Sequence, residues 1–289
     1  MLRTTVLSLT LALSAGLSHA QAPAPLQMKV YQADEHSFAV TSTLITGAKE
    51  AGVVDSGFTR ADGLRIAANV LDSGKQLTTI LISNADPDYY FGAEVLKNLF
   101  PQAKVVATPA VREKIVSKLQ GKLAFWGPKM GTNAPGKPVL PEALQGNTVT
   151  VDGQTLELRG TTGPLAHRPY VWVPALHAIV GNVGVFGNLH VWTADTQKSA
   201  ERKAWLAQLD EMQALKPAVV VPGHMQAGTA MDASAIAYTR DYLQRFEAAA
   251  AKAANSAELI GAMKQAYPQA GMALSLDIGA KVNKGEMPW

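Results

Sequence analysis

Short apolar runs alternate with longer amphipathic segments along the chain after Leu26. Short runs of apolar or alternating residues are typical of strands, whereas apolar residues three and four positions apart are typical of helices. On these grounds strands are predicted at Met28–Tyr31, Phe38–Ile45, Ala51–Val54, Leu77–Ser83, Lys104–Ala107, Thr148–Val151, Thr155–Leu158, Tyr170–Val173, Ala178–Val180 and Ala218–Val221.

Capping residues set the limits of the predicted helices. Thr59, with Asp62 three residues later, begins a helix that Gly74 ends, and Thr108, followed by a proline, begins another. Further helices are predicted at Gly92–Phe100, Thr196–Ala214, Met231–Ala253 and Ser256–Ala266. Helices and strands therefore alternate through most of the chain.

The segment Gly121–Pro141 interrupts this alternation because it is rich in Gly and Pro. It is predicted to be a long loop, and its Phe125 and Trp126 make it a candidate lid over a cleft. The order of the elements predicts an α/β fold in which helices cover two sheets, a four-layer αββα sandwich. Residues 21–289 are expected to form one domain that ends in a helical extension.

The first 20 residues have the pattern of a cleavable signal peptide. Arg3 is their one charged residue, Val6–Leu17 are mostly apolar, and Ser18-His19-Ala20 is a small-x-small cleavage signal. The apolar run is too short and too interrupted to span a bilayer, so no membrane span is expected. The sequence predicts a periplasmic or secreted protein.

The amino-acid composition limits the kinds of functional site that the chain can form. The chain has 289 residues, 47% hydrophobic and 17% charged, a formal net charge of +3 and no cysteine. The absence of cysteine excludes disulfides, thiolate metal sites and a cysteine nucleophile. Because the positive excess is small and its residues are scattered, no nucleic-acid partner is expected. A small molecule is the expected ligand or substrate.

Three segments taken together resemble the metallo-β-lactamase superfamily. Val53–Gly57 is similar to that family's Asp-x-Gly signature at a strand end. Ile82–Gly92 lies between a predicted strand and helix, where the family carries its His-x-His-x-Asp-His metal motif. Val219–His224 is similar to the segment that supplies the family's last metal ligand after a buried strand. The resemblance covers roughly Leu26 to Ala230 and implies the αββα fold and a hydrolase-like ancestry.

Residue by residue, most of the family's metal ligands are replaced in this chain. Asn84, Asp86 and Tyr89 stand where the resemblance implies the three histidines of the motif, and only the aspartate, Asp88, is kept. A further histidine is replaced by Pro164, and His167, three residues later, is a possible substitute. The family's bridging aspartate is replaced by Asn182, whereas the last histidine is kept as His224.

The replacements weaken the expected metal site. Zinc in such sites binds neutral imidazoles and anionic carboxylates, and a carboxamide is a weak neutral ligand. No dizinc centre is therefore expected. Asp86, Asp88 and His224 remain as the candidate ligands for one divalent ion, Zn²⁺, Mn²⁺ or Fe²⁺, which is weakly held or absent. Asp88 and His224 are the candidate catalytic residues.

Two functions remain open. In the first, a single ion activates water for hydrolysis of a small ester, thioester, lactam or phosphoester. In the second, the fold persists as a non-catalytic protein that binds a small molecule or a partner. The candidate residues for contacts with the substrate or ligand are Asn84, Tyr89, Tyr90, His167, Asn182 and His190. A purely structural role stays open for Asp86, which precedes a proline in a turn, and for Asp88, Tyr89, Tyr90, His190 and His224.

Overall fold

The computed structural model describes residues 24–289. The predicted signal peptide, residues 1–20, lies outside the described residues. Within the described part of the chain, no helix is long and apolar enough to cross a membrane.

The first sheet has six strands in the order β1-β2-β3-β4-β5-β6. Its strands are β1 (Gln27–Gln32), β2 (Thr41–Thr46), β3 (Glu50–Val54), β4 (Gln76–Ile82), β5 (Lys104–Ala107) and β6 (Glu142–Ala143). The first three strands pair antiparallel, and the pairs from β3 to β6 are parallel. Parallel strands need crossover connections, which the intervening helices supply.

The second sheet has five strands in the order β12-β10-β9-β8-β7. Its strands are β7 (Thr148–Val151), β8 (Gln154–Arg159), β9 (Tyr170–Val173), β10 (Ala178–Val180) and β12 (Val219–Val220). A separate two-stranded parallel pair joins β11 (Phe186–Gly187) to β13 (His224–Met225). All ten strands predicted from the sequence pattern are present, with differences at their ends, and the two-residue strands β6, β11 and β13 are additional.

The helices lie outside the two sheets. They are α1 (Arg60–Ser73), α2 (Pro87–Tyr90), α3 (Ala93–Leu99), α4 (Pro109–Met130), α5 (Ser199–Ala214), α6 (Ser234–Lys252), α7 (Ser256–Ala266) and α8 (Ala273–Asn283). One apolar cluster contains residues of both sheets, such as Val54 and Leu81 with Leu156 and Val171, so the sheets pack face to face. Two further clusters lie between each sheet and its helices. The αββα prediction is confirmed.

The loop prediction for Gly121–Pro141 is wrong over its first half, because α4 continues to Met130 and a short 3-10 helix follows at Gly131–Asn133. Leu119, Leu123, Trp126 and Met130 extend the buried stripe of the helix against the core. This periodic apolar contact outweighs the cost of the Gly and Pro residues in the last turns. Phe125 and Trp126 are therefore held on a helix rather than on a loop.

Helix α8 was not predicted, because its polar and apolar residues show no clear period. Its Leu276 and Ala280 are buried against the helices that cover the second sheet. Packing against α7 therefore stabilises α8 as a helix where the local sequence does not predict one.

Asp62 joins the start of α1 to the first strand and to the short helical turn after it. Its carboxylate accepts hydrogen bonds from Tyr31 Oη at 2.6 Å, Ser37 Oγ at 2.6 Å and the Thr59 backbone N–H at 2.9 Å. Thr59 Oγ1 also receives the Asp62 N–H, which completes the predicted capping box. Burial raises the pKa of Asp62, but the hydrogen bonds from Ser37, Tyr31 and Thr59 lower it by more, so the net pKa lies below its usual value of 3.8.

We expect Asp62→Asn to lower the free energy of unfolding by about 2 kcal/mol, because an amide presents a donor to groups that are themselves donors. Since the folded pKa is depressed, this stabilisation is fully present above the ordinary pKa of 3.8 and is lost as the pH falls through the lower folded pKa. Urea unfolding of wild type and variant from pH 7 to pH 3 measures both effects. The matched control is Asp72→Asn, an exposed position on the same helix, with an expected change below about 0.5 kcal/mol. Equal effects of the two substitutions would contradict the role of Asp62.

Candidate functional site

Asp88 and His224 meet because the ends of two strands lie close together. Asp88 belongs to α2, which follows β4, and His224 begins β13, shortly after β12. Gly223 is needed at this junction, since a Cβ there would overlap the Asn182 carbonyl oxygen. The distance from Asp88 Oδ2 to His224 Nε2 is 3.5 Å, and both side chains are buried.

Hydrogen bonds occupy both ring nitrogens of His224. Nδ1 lies 2.9 Å from the Phe38 carbonyl oxygen, and Nε2 lies 3.1 Å from Tyr89 Oη. Because a carbonyl only accepts, we assign the proton to Nδ1, and Nε2 then accepts from the Tyr89 hydroxyl. Burial lowers the pKa of His224 to about 4, which is consistent with a neutral ring.

The two aspartates of the motif are held in surroundings that disfavour their charge. Burial, and next the charge of Asp86, raise the pKa of Asp88 well above its usual range. Burial and the charge of Asp195 raise the pKa of Asp86, while Lys122, whose Nζ lies 3.3 Å from Asp86 Oδ1, opposes the shift. Both effects follow from the low polarity of the site and the proximity of like charges.

Asn182 has a structural role in this geometry. Its Nδ2 donates to the Val221 carbonyl at 2.9 Å, and its Oδ1 accepts from the Val185 N–H at 2.8 Å. Asn84 is also buried, and its Oδ1 accepts from the Asp86 N–H at 2.8 Å. The side-chain oxygens that replace two of the expected ligands are thus engaged with the backbone.

Two other predicted contact residues lie in the core. Tyr90 is fully buried in the cluster between the first sheet and its helices, and its hydroxyl has no hydrogen-bond partner among the described residues. His190 is buried, and its Nδ1 lies 3.0 Å from Tyr242 Oη. Neither residue is among those that line the cleft.

The cleft consists of two adjoining cavities. The first, of about 60 Å³, has mostly aromatic and apolar walls and brings together Asp86, Asp88 and His224. Its apolar lining comprises Phe38, Phe58, Trp126, Val183, Phe186, Trp192, Met272 and Trp289. The predicted catalytic pair therefore faces an apolar space rather than a polar one.

The second cavity, of about 380 Å³, is lined by cationic side chains together with Asn84 and His167. Its cations are Lys114, Lys118, Lys122 and Arg168. The two cavities share Asp86, Lys122, Trp126, Asp195 and Trp289. The structure thus places Asn84, Asp86, Asp88, His167 and His224 around one cleft.

Sequence reasoning missed the residues that define this second cavity. Lys114, Lys118 and Lys122 are four residues apart, a spacing that places them on one face of a helix. This face was not recognised, because the loop predicted from Gly121 ended the helix before Lys122. No local signal marks Arg168 or Asp195, which enter the cleft through tertiary packing.

The described residues do not present a ready metal-binding set. Residues 24–289 contain no group of three or more His, Asp or Glu side chains arranged to hold an ion. The Nε2 lone pair of His224 is taken by Tyr89, and the raised pKa of Asp88 favours its protonated form. Zinc needs deprotonated carboxylates and free imidazole nitrogens, so these donors do not fit a dinuclear centre.

Comparison with solved structures supports the same fold. A metallo-beta-lactamase family protein from Thermus thermophilus aligns with a TM-score of 0.62 and 17% identity, over 90% of this chain and 91% of that one. A beta-lactamase domain protein from Burkholderia ambifaria aligns with a TM-score of 0.60 and 15% identity, over 90% and 84%. A metallo-beta-lactamase from Pontibacter korlensis aligns with a TM-score of 0.54 and 18% identity, over 76% and 95%. These identities establish similarity of fold alone.

Comparison of the sequence gives the family. No curated protein sequence matches the chain. The sequence model of the metallo-beta-lactamase superfamily matches residues 37–224, which is more than half of the chain and runs from the turn before β2 to His224. Together with the two packed sheets and the cleft at their strand ends, this match shows that the chain belongs to the metallo-beta-lactamase superfamily.

Proposed function

We propose that this protein uses the hydrolase-like fold of its superfamily to bind a small molecule, without hydrolysis at a dinuclear metal centre. The observation that carries the proposal is the hydrogen bond between Tyr89 Oη and His224 Nε2, at 3.1 Å. It places a phenol on the one lone pair with which the retained histidine could bind a cation.

The surroundings of this bond support the proposal. Tyr89 is fully buried, and burial raises its pKa well above the usual range, so the phenol keeps its proton and remains a donor. The Asn182 carbonyl oxygen, 3.3 Å from the same hydroxyl, is the more distant of its two acceptors. A cation at Nε2 would have to displace a neutral donor from a buried position, and no second imidazole in the motif would compensate for that loss.

The shape of the cleft favours a small-molecule ligand. Small-molecule sites are concave and largely apolar, with a few convergent polar groups. Here the wall of the first cavity is mostly aromatic and apolar, and four cationic side chains line the second. The two cavities share Asp86, Lys122 and Trp126. A binding protein of this kind needs no chemical step.

A second candidate is hydrolysis with one divalent ion, Zn²⁺, Mn²⁺ or Fe²⁺, held by Asp86, Asp88 and His224. It is favoured by the fact that all three side chains line the same cavity. An ion there would supply Lewis-acid chemistry toward an ester, thioester, lactam or phosphoester. His224 would first have to lose its bond to Tyr89, and Asp88 would have to be ionised in surroundings whose burial raises its pKa.

Export to the periplasm or medium is part of the proposal and rests on residues 1–20 alone. We expect cleavage after Ala20, so that the mature chain begins at Gln21. Amino-terminal sequencing of the protein recovered from a bacterial periplasmic fraction measures this. A full-length chain confined to the cytoplasm would contradict the proposal.

The proposed function predicts poor metal retention. Tag-free protein that has been incubated with Zn²⁺ or Mn²⁺ and desalted should hold less than about a tenth of an equivalent of either metal, because the donor set is incomplete. Elemental analysis measures the content. One equivalent that is lost in both His224→Ala and Asp88→Ala would support the second candidate instead, and two equivalents of zinc would overturn both the proposal and the argument from ligand chemistry.

Two neighbouring tyrosines provide a matched test of the bond to His224. Tyr89→Phe should lower the free energy of unfolding by about 1–2 kcal/mol, because it leaves His224 Nε2 buried without a donor. Tyr90→Phe removes a hydroxyl that has no partner in the described structure, so stability should be unchanged or slightly higher. Denaturant unfolding at pH 7 measures both variants. If Tyr89→Phe were as stable as Tyr90→Phe, the role assigned to Tyr89 would be wrong.

A further inference from the structure

Arg168 is a buried cation without a hydrogen-bond partner at the end of its side chain. The residue is 4% exposed, and neither its Nη1 nor its Nη2 donates to any group in the described structure. Its guanidinium carbon lies 4.4 Å from the centre of the Trp205 ring, so one face of the guanidinium stacks on the indole. The Nη atoms at its edge make no hydrogen bond in the described structure. An unpaired buried charge is costly to retain, which points to a partner that is supplied from outside the chain.

The acids near Arg168 are already engaged. Asp195 accepts hydrogen bonds from Trp192 Nε1 at 2.6 Å and from Trp289 Nε1 at 2.8 Å. Asp86 pairs with Lys122 at 3.3 Å. Both aspartates act on Arg168 only through space, because neither accepts a hydrogen bond from its Nη atoms. The Nη atoms of Arg168 therefore have no hydrogen-bond acceptor of their own in the described structure.

Two more cations face the same cavity. Lys114 and Lys118 lie one helical turn apart on α4, are exposed to solvent, and line the cavity with Arg168. With Lys122 the cavity has four cationic side chains against two acids, Asp86 and Asp195, an excess of two positive charges. Such an excess in a concave site attracts anions and raises their local concentration.

His167 is consistent with this positive field. It lines the cavity next to Arg168, and burial, followed by the charges of Arg168 and Lys114, lowers its pKa to about 4. The ring is neutral at physiological pH and can offer a hydrogen bond without adding charge.

The adjoining first cavity supplies an apolar surface. Trp126 and Trp289 belong to both cavities, whereas Phe58 and Phe186 line the first cavity only. A ligand that spans both spaces would meet aromatic rings at one end and the cations at the other. This division selects molecules that are themselves amphipathic.

We propose that the cleft binds a small amphipathic anion, with its carboxylate, sulfate or phosphate group on Arg168, Lys114 and Lys118 and its apolar part against the aromatic wall. The inference rests on the proposed binding function and adds the chemical class of the ligand. Arg168 offers two parallel N–H donors, which match the oxygens of these anions in a bidentate arrangement. A neutral or cationic ligand would leave the charge of the guanidinium unbalanced.

The test uses the mature chain, residues 21–289, with EDTA present so that binding does not depend on metal. Isothermal titration calorimetry compares octyl sulfate, octyl phosphate and octanoate, all below their micellar concentrations, with octyltrimethylammonium and with inorganic sulfate. We expect at least one octyl anion to bind about tenfold or more tightly than the octyl cation, since one charge-assisted contact contributes that much. Inorganic sulfate should bind more weakly than octyl sulfate, because it lacks the apolar part.

Variants separate the anion site from general electrostatics. Arg168→Met keeps an apolar side chain of similar length next to Trp205 and should weaken binding of the octyl anion by about tenfold. Lys114→Gln with Lys118→Gln changes only exposed positions and should weaken it by about fivefold. The matched control, Lys203→Gln with Lys252→Gln, removes the same charge from exposed positions outside the cleft and should leave binding unchanged. Thermal unfolding of each variant shows whether it is folded.

The outcomes are distinguishable. Loss of binding in Arg168→Met and in the cleft double variant, but not in the control, supports the proposal. Equal weakening by both lysine pairs, or an octyl cation that binds as well as the anions, would overturn it while leaving a non-metal binding function intact. An unchanged affinity in a folded Arg168→Met would overturn it too, by showing that the guanidinium only packs against Trp205. Failure of the binding function itself would instead appear as bound metal in the elemental analysis.

Discussion

The structure of the cleft depends on the hydrogen bonds that one buried imidazole makes. His224 is fixed between the Phe38 carbonyl oxygen, before β2, and the Tyr89 hydroxyl, on α2. These two bonds connect the start of β13 to segments that flank the first sheet. Since both ring nitrogens are used, a cation at Nε2 would have to break one of the bonds that stabilise this junction.

The other side chains at the expected ligand positions are likewise held by the protein itself. Asn182 and Asn84 are bonded to backbone groups, and Asp88 lies in an apolar space that favours its neutral form. A superfamily site ordinarily concentrates negative charge to hold cations. In this chain the excess charge of the cleft is positive and lies a short distance away, on α4 and Arg168.

Most of the fold was predictable from the sequence because its elements are locally determined. Short apolar runs indicated every strand of the two main sheets except the two-residue β6, and the Thr59–Asp62 capping box fixed the start of α1. The prediction failed where local signals and packing disagree. Gly121 and Pro128 indicate a loop, but the apolar stripe that includes Leu123 and Trp126 keeps α4 helical. The resemblance to a known family selected Asp86, Asp88 and His224, which line one cavity, because it relies on the order of motifs that the sequence records directly.

The sequence by itself determined which atoms are available: no thiolate, two amides and a phenol at expected ligand positions, and one retained histidine. It also determined the layers of the fold, since periodicity is a local property. Only the tertiary structure decided what those atoms bind. The partner of Tyr89 lies 135 residues away, and the cations of the second cavity come from α4 and from the segment before β9. Such contacts depend on how distant segments pack, because hydrogen bonding and charge act over distances in space and not along the chain.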